Sequence, residues 1–104
     1  MNQKYEITDI VHPQYPWLHR IRALRDVRED VHAGDLGGFV QSEENLSQEG
    51  QCWVANNAVA AEESYISGDA IMWDYSCARG CAVISGKSRI GGEAIIEDHA
   101  IVTS

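Results

Sequence analysis

The sequence predicts an all-β chain: a three-sided parallel β-helix of about three coils, closed at its N-terminal end by a β cap. Three observations lead there. Residues 45 to 104 divide into ten uninterrupted six-residue units, each unit carries a two-residue alternation, and turn-forming residues recur every 18 residues.

Written in sixes from Asn45, the chain reads NLSQEG, QCWVAN, NAVAAE, ESYISG, DAIMWD, YSCARG, CAVISG, KSRIGG, EAIIED, HAIVTS. After the first unit, the second position is always small (Cys52, Ala58, Ser64, Ala70, Ser76, Ala82, Ser88, Ala94, Ala100) and the fourth always apolar (Val54 through Val102). A six-residue period walks around a 3.6-residue helical turn, so no helix presents these positions together. In a strand, two residues that lie two apart point to the same side. Each unit is therefore a short inward-outward-inward strand followed by a bend. Three strands close a triangle, which makes the coil 18 residues long. The sixth positions fall into three columns at that period: Gly50, Gly68, Gly86, Ser104; Gly38, Asn56, Asp74, Gly92; and Glu44, Glu62, Gly80, Asp98. Gly, Asn and Asp best tolerate the left-handed backbone of tight bends. The regular coils are 51–68, 69–86 and 87–104, preceded by a looser coil bent at Gly38, Glu44 and Gly50.

Residues 1–44 do not follow the six-residue rule and are read as the cap, since an open solenoid end exposes strand edges. Lys4 to Asp9 and Trp17 to Leu24 read as strands separated by the Pro13-Gln14-Tyr15-Pro16 turn. Gly34-Asp35-Leu36-Gly37-Gly38 reads as a tight turn into the first coil. It is not a phosphate loop, because no GK[ST] follows.

The net charge is -8, which argues against direct nucleic-acid binding. From Glu29 to Ala78 there is no Lys or Arg, while ten acids occur. Glu43, Glu44, Glu49, Glu62 and Glu63 cluster around one bend column and form a candidate surface for a basic partner. No apolar run is long enough to span a membrane and no signal-peptide core is visible, so the expected location is the cytoplasm of a bacterial host. Cys52, Cys77 and Cys81 have no paired-motif spacing; small residues filling repeat positions explain them better than a metal site.

Outward-facing third positions are unusually apolar. Trp53 is expected over Ile71 with Trp73 beside them, and Tyr65, Val83 and Ile101 form a second ridge. Such patches are rarely left uncovered. A homo-oligomer, most simply a dimer, is expected on one of these faces.

The run Gly34-Asp35-Leu36-Gly37-Gly38-Phe39-Val40, then Ser42-Glu43-Glu44-Asn45-Leu46-Ser47, then Cys52-Trp53-Val54, resembles a group of small phage and prophage proteins with hexads of the N-A-x-V-x-G type. The resemblance implies a left-handed coil. With the acidic stretch, it leads to the expectation of a non-enzymatic binding protein: an anti-CRISPR-like inhibitor that occludes a host defence or nucleic-acid-handling protein, without cofactor or metal. One alternative is a phage assembly protein that self-associates. Another is a degenerate member of the hexapeptide-repeat acyltransferases, the wider superfamily with this repeat. Those enzymes use a histidine base and a protruding loop. Of His12, His19, His32 and His99, only His99 lies in a regular coil, beside Asp98 at a bend, and the ten hexads contain no protruding loop. No catalytic residue is therefore assigned from sequence.

Overall fold

The hexads fold as the alternation requires. In the computed structural model, which describes residues 3–103, each unit from 51 onward contributes a two-residue strand. These strands are β4 (Trp53–Val54), β5 (Val59–Ala60), β6 (Tyr65–Ile66), β7 (Ile71–Met72), β8 (Cys77–Ala78), β9 (Val83–Ile84), β10 (Arg89–Ile90), β11 (Ile95–Ile96) and β12 (Ile101–Val102). Pairing is parallel and advances by 18 residues: Ile71 pairs with Trp53 on one side and Arg89 on the other, Cys77 with Val59 and Ile95, and Val83 with Tyr65 and Ile101. The result is a three-sided β-solenoid.

Inside, the second and fourth positions meet. Ala58, Ser64, Ala70, Ser76 and Ala82 are fully enclosed, as are Val54, Ala60, Ile66, Met72, Ala78 and Ile84. Serine can replace alanine here because its hydroxyl finds carbonyls within the bend. Ser64 Oγ donates to Ala61 O (2.7 Å) and Ser76 Oγ to Trp73 O (2.9 Å). Enclosure fades in the final coil, where Ala94 and Ala100 are exposed and Ile96 and Val102 half-buried.

The bends follow the columns closely. Every sixth position from Gly50 to Asp98 has a positive φ, between 57° and 72°, including the non-glycines Asn56, Glu62, Asp74 and Asp98. Each non-glycine there costs about 1–2 kcal/mol of backbone strain, and side chains between coils offset part of it. Asn56 Oδ1 accepts from the Asp74 amide (3.0 Å) and Glu62 Oε1 from the Gly80 amide (2.7 Å). Ser104 lies outside the described residues, as do the first two residues of the cap.

The N-terminal region departs from expectation in one respect. Residues 34–38 are not simply a turn: only Gly34 has a positive φ, and Leu36–Val40 is a third strand, β3. Gly38 is thus a strand residue rather than a bend, and Glu44 sits in a 3-10 turn over Glu43–Asn45. The glycines serve close packing: a Cβ on Gly37 would fall 2.6 Å from Val54 O and 2.8 Å from the Trp53 ring. β1 (Tyr5–Val11), β2 (His19–Ala23) and β3 form an antiparallel meander, and β3 then pairs in parallel with β5, giving a sheet in the order β1-β2-β3-β5-β8-β11. Phe39 pairs with Val59, a 20-residue offset. The looser first coil is therefore longer than the others, its slack taken up around the 3-10 turn. Asn45 fixes that turn: it is fully buried, accepts from the Gln41 and Ser42 amides, and donates to Glu62 O and Ser64 O.

The cap docks by burying polar groups with their partners supplied. Tyr5 donates its hydroxyl to Leu46 O (2.6 Å), and Lys4 donates its ammonium to Glu49 O and Cys52 O. Arg20 lies 4.4 Å over the Phe39 ring and donates to Gly37 O, Asn56 O and Asn57 Oδ1. No helix among the described residues is long and apolar enough to cross a membrane.

Candidate functional site

The meander and the solenoid wall leave a groove between them. The chain from His12 to Leu18 overhangs the outward residues of the stacked strands, Val59, Cys77 and Ile95, leaving an open groove of about 680 Å³. His12, Tyr15 and Trp17 form the overhang, their rings in sequence: His12 to Tyr15 centroids are 5.0 Å apart and Tyr15 to Trp17 5.5 Å. Prolines 13 and 16 hold this short loop, and Leu18 packs with Phe39 and Ala61 beneath it. Glu62, Tyr75, Arg79 and Glu93 line the rest of the groove. Arg79 is tied to Glu97, with Nη2 2.7 Å from Oε1, and that pairing raises the guanidinium pKa further. The lining thus combines aromatic and aliphatic surface with two carboxylates, Glu62 and Glu93, that form no ion pair among the described residues, a setting that favours an apolar ligand with a polar or cationic end.

His12 is the ring at the root of the overhang. Its Nδ1 accepts from the backbone amides of Gln14 (3.0 Å) and Tyr15 (3.3 Å). The neutral ring therefore carries its proton on Nε2 and acts as a hydrogen-bond donor there. His19 has the opposite tautomer, since its Nδ1 lies 3.0 Å from Thr8 O, a carbonyl that can only accept. His19 is not part of the groove. His99 is exposed at its bend, and His32 faces Asp26 at 3.7 Å on the surface. Cys77, on the groove floor, has its thiol pKa pushed up by burial, which keeps it protonated and poorly nucleophilic at neutral pH. All three cysteines are free thiols, and no group of three metal-ligating side chains converges among the described residues.

The residues that the sequence singles out separate into four groups. Trp53 (1 % exposed) and Ile71 (9 %) pair as expected but are buried, because the segment around Val31 to Leu36 covers that wall. That removes them as a surface for a partner. Trp73 is half-buried, with Arg89 over its ring at 5.4 Å. Tyr65 and Ile101 remain exposed on either side of the half-buried Val83, in one register column. Glu43, Glu44, Glu49, Glu62 and Glu63 are all exposed, and Asn45 joins the 3-10 turn to Glu62.

The chain is 34% identical over 87 residues to a protein from Escherichia coli (strain K12) named uncharacterized acetyltransferase YdcK. The likeness covers 83% of this chain but 21% of that protein, so the chain spans about a fifth of its length. Both the repeat and this similarity fit a hexapeptide-repeat β-helix. No protein-family model matches the sequence. The similarity corrects two expectations: the reading as a non-enzymatic, anti-CRISPR-like inhibitor and the reading as no enzyme both give way, because the relative carries an acetyltransferase name. An acidic surface is compatible with many functions, whereas the repeat is a more specific guide.

Sequence reasoning missed His12, Tyr15 and Trp17 as a group. Their spacing around two prolines was visible, but nothing in the hexads indicated which wall the loop would overhang.

Proposed function

We propose that the chain is an acyl-transfer module of the hexapeptide-repeat type, with the groove beneath the His12–Leu18 overhang as its substrate site. The observation that supports this reading is the groove itself: an aromatic-walled slot laid against stacked strands, with a hydrogen-bond donor at its root and the Glu62 and Glu93 carboxylates on its lining. The similarity to a protein named as an acetyltransferase points the same way.

In this reading the acyl end of a thioester lies along Val59, Cys77 and Ile95, and His12 Nε2–H donates to the thioester carbonyl oxygen. An amine acceptor is drawn by Glu62 and Glu93. A carboxylate takes a proton from the ammonium, the freed amine nitrogen adds to the carbonyl carbon, and the adduct collapses as the carbon–sulfur bond breaks, the second N–H proton passing to the departing thiolate so that amide and thiol are the products. Cys77 forms part of the floor, where burial raises its thiol pKa and disfavours the nucleophilic thiolate. Isothermal titration with acetyl-CoA tests the proposal. Micromolar binding, weakened about tenfold in Trp17→Ala, is expected, and a flat titration of the unaltered protein would overturn it.

Self-association is a second, compatible reading, supported by the exposed Tyr65–Val83–Ile101 column, and the free thiols suit a reducing cytoplasm.

A further inference from the structure

We propose that Lys4 and Cys52 are the two ends of a reversible oxidative cross-link, a nitrogen–oxygen–sulfur bridge that fastens the cap to the first coil. Both side chains are fully enclosed, and Lys4 Nζ lies 3.0 Å from Cys52 Sγ. That is the separation of an ordinary hydrogen-bonded nitrogen and oxygen, although sulfur is the larger atom. The amine is held there by two further contacts, 2.8 Å to Cys52 O and 3.1 Å to Glu49 O. The thiol is fixed in turn among Ser47 O, Glu49 O and Ile66 O at 3.6–3.7 Å. Neither group has a role in the groove. A single bridging atom fits this gap, whereas a direct sulfur–nitrogen bond would require a much closer approach than these anchors give.

Carbonyl capping alone accounts for a buried lysine, but it does not account for the third contact being to sulfur, a weak acceptor. Burial also lowers the Lys4 pKa, so more of the nucleophilic free amine is present than for a surface lysine. Dioxygen is the oxidant, being small and apolar enough to reach an enclosed site. The amine, the thiol and one dioxygen give the bridge and one water. The S–H and one N–H bond break, N–O and O–S bonds form, and the four electrons lost by nitrogen and sulfur reduce both oxygen atoms. A pair of dithiols reverses the reaction, returning amine, thiol and a second water. The bridge closes a loop between residues 48 apart in sequence, which restricts the unfolded chain.

Peptide mapping of the air-exposed full chain, digested without reductant by a glutamate-specific protease, tests this. The expected product joins the peptide containing Lys4 to that containing Cys52, with one oxygen gained and two hydrogens lost. It disappears on dithiothreitol treatment, and the bridged protein unfolds several degrees higher than the reduced one. Cys52→Ala, which places at that position the residue found at Ala58 and Ala70, folds and shows neither the product nor the dithiothreitol-sensitive shift. Recovery of Cys52 as free thiol, as a simple sulfur oxide or in a disulfide, with Lys4 unmodified, would overturn the proposal. Cys77 and Cys81, which have no amine contact, serve as internal controls.

Discussion

The ring of Tyr5 meets that of Trp53 edge to face, with centroids 6.4 Å apart and planes at 80°, and both side chains are buried. This contact joins the first strand of the cap to the first strand of the solenoid. It places a large apolar volume where repeat positions further along hold Ile71 and Arg89. Trp53→Ala should therefore cost about 3–5 kcal/mol, and urea denaturation should show the cap and coils unfolding together at a lower midpoint.

Tyr5 also sets the alkaline limit. Burial raises its hydroxyl pKa above the ordinary value of 10.0, and burial likewise raises the Cys77 thiol above 9.0. In the unfolded chain these groups lose protons first, so stability is intact below pH 9 and falls as the pH rises through 9 to 10 and beyond. Lys4 acts in the opposite sense. Its lowered pKa means the folded state releases its proton first, so the penalty for burying its charge is full at low pH and is relieved on approaching 10.5. Thermal melts should fall steeply above about pH 10. Tyr5→Phe should flatten that limb while losing about 1 kcal/mol at neutral pH, because Leu46 O loses its donor.

Bend geometry yields a sharper contrast. Gly68 has φ +66°, and an added Cβ would lie 3.0 Å from Gly86 N and 3.1 Å from Gly86 O. Gly68→Ala should destabilise by more than about 1 kcal/mol. Ile84→Asp should abolish folding outright, since it buries a charge at a fully enclosed position of the middle coil. Circular dichroism distinguishes a weakened fold from a lost one.

These bends explain why the solenoid was legible from sequence. Position, residue type and period carry the same information at Gly68, Asp74 and Gly80, so each unit confirms the next. The cap has no such redundancy. Gly37 and Gly38 read as a turn because glycine usually marks one, but here their missing side chains admit Trp53 and Val54 against β3. Periodicity places Trp53 against Ile71, as the structure has them, but specifies a wall and not what covers it, so their burial is not legible from the repeat. Lys4 gave no signal at all: its partners are backbone carbonyls and a thiol some 45 residues away or more.

The groove makes a prediction about salt. Glu62 and Glu93 sit on its lining, and Arg79, its one permanently charged base, is engaged by Glu97. A thioester donor that carries phosphates meets a repulsive field, which dissolved ions screen. Acetyl-CoA binding should tighten as salt is raised from low concentration toward physiological strength. Trp17→Ala should weaken it about tenfold, or roughly 1.4 kcal/mol, with little loss of stability, since Trp17 is 56% exposed. Binding that weakens with salt would indicate a cationic site elsewhere.

Last, the Tyr65–Val83–Ile101 column tests the proposed self-association. Ile101 is 69% exposed and Tyr65 41%, on a wall that no described residue of the cap pairs with. Parallel stacking places their side chains in line, so two copies related by a two-fold axis can lay one column against the other. Ile101→Lys sets a charge in that line without disturbing the interior, because the inward residue of the same strand is Val102. Light scattering at micromolar concentration should then give a dimer for the unaltered chain and a monomer for the variant, with unchanged circular dichroism. A monomer in both cases would leave this wall as plain solvent-facing sheet.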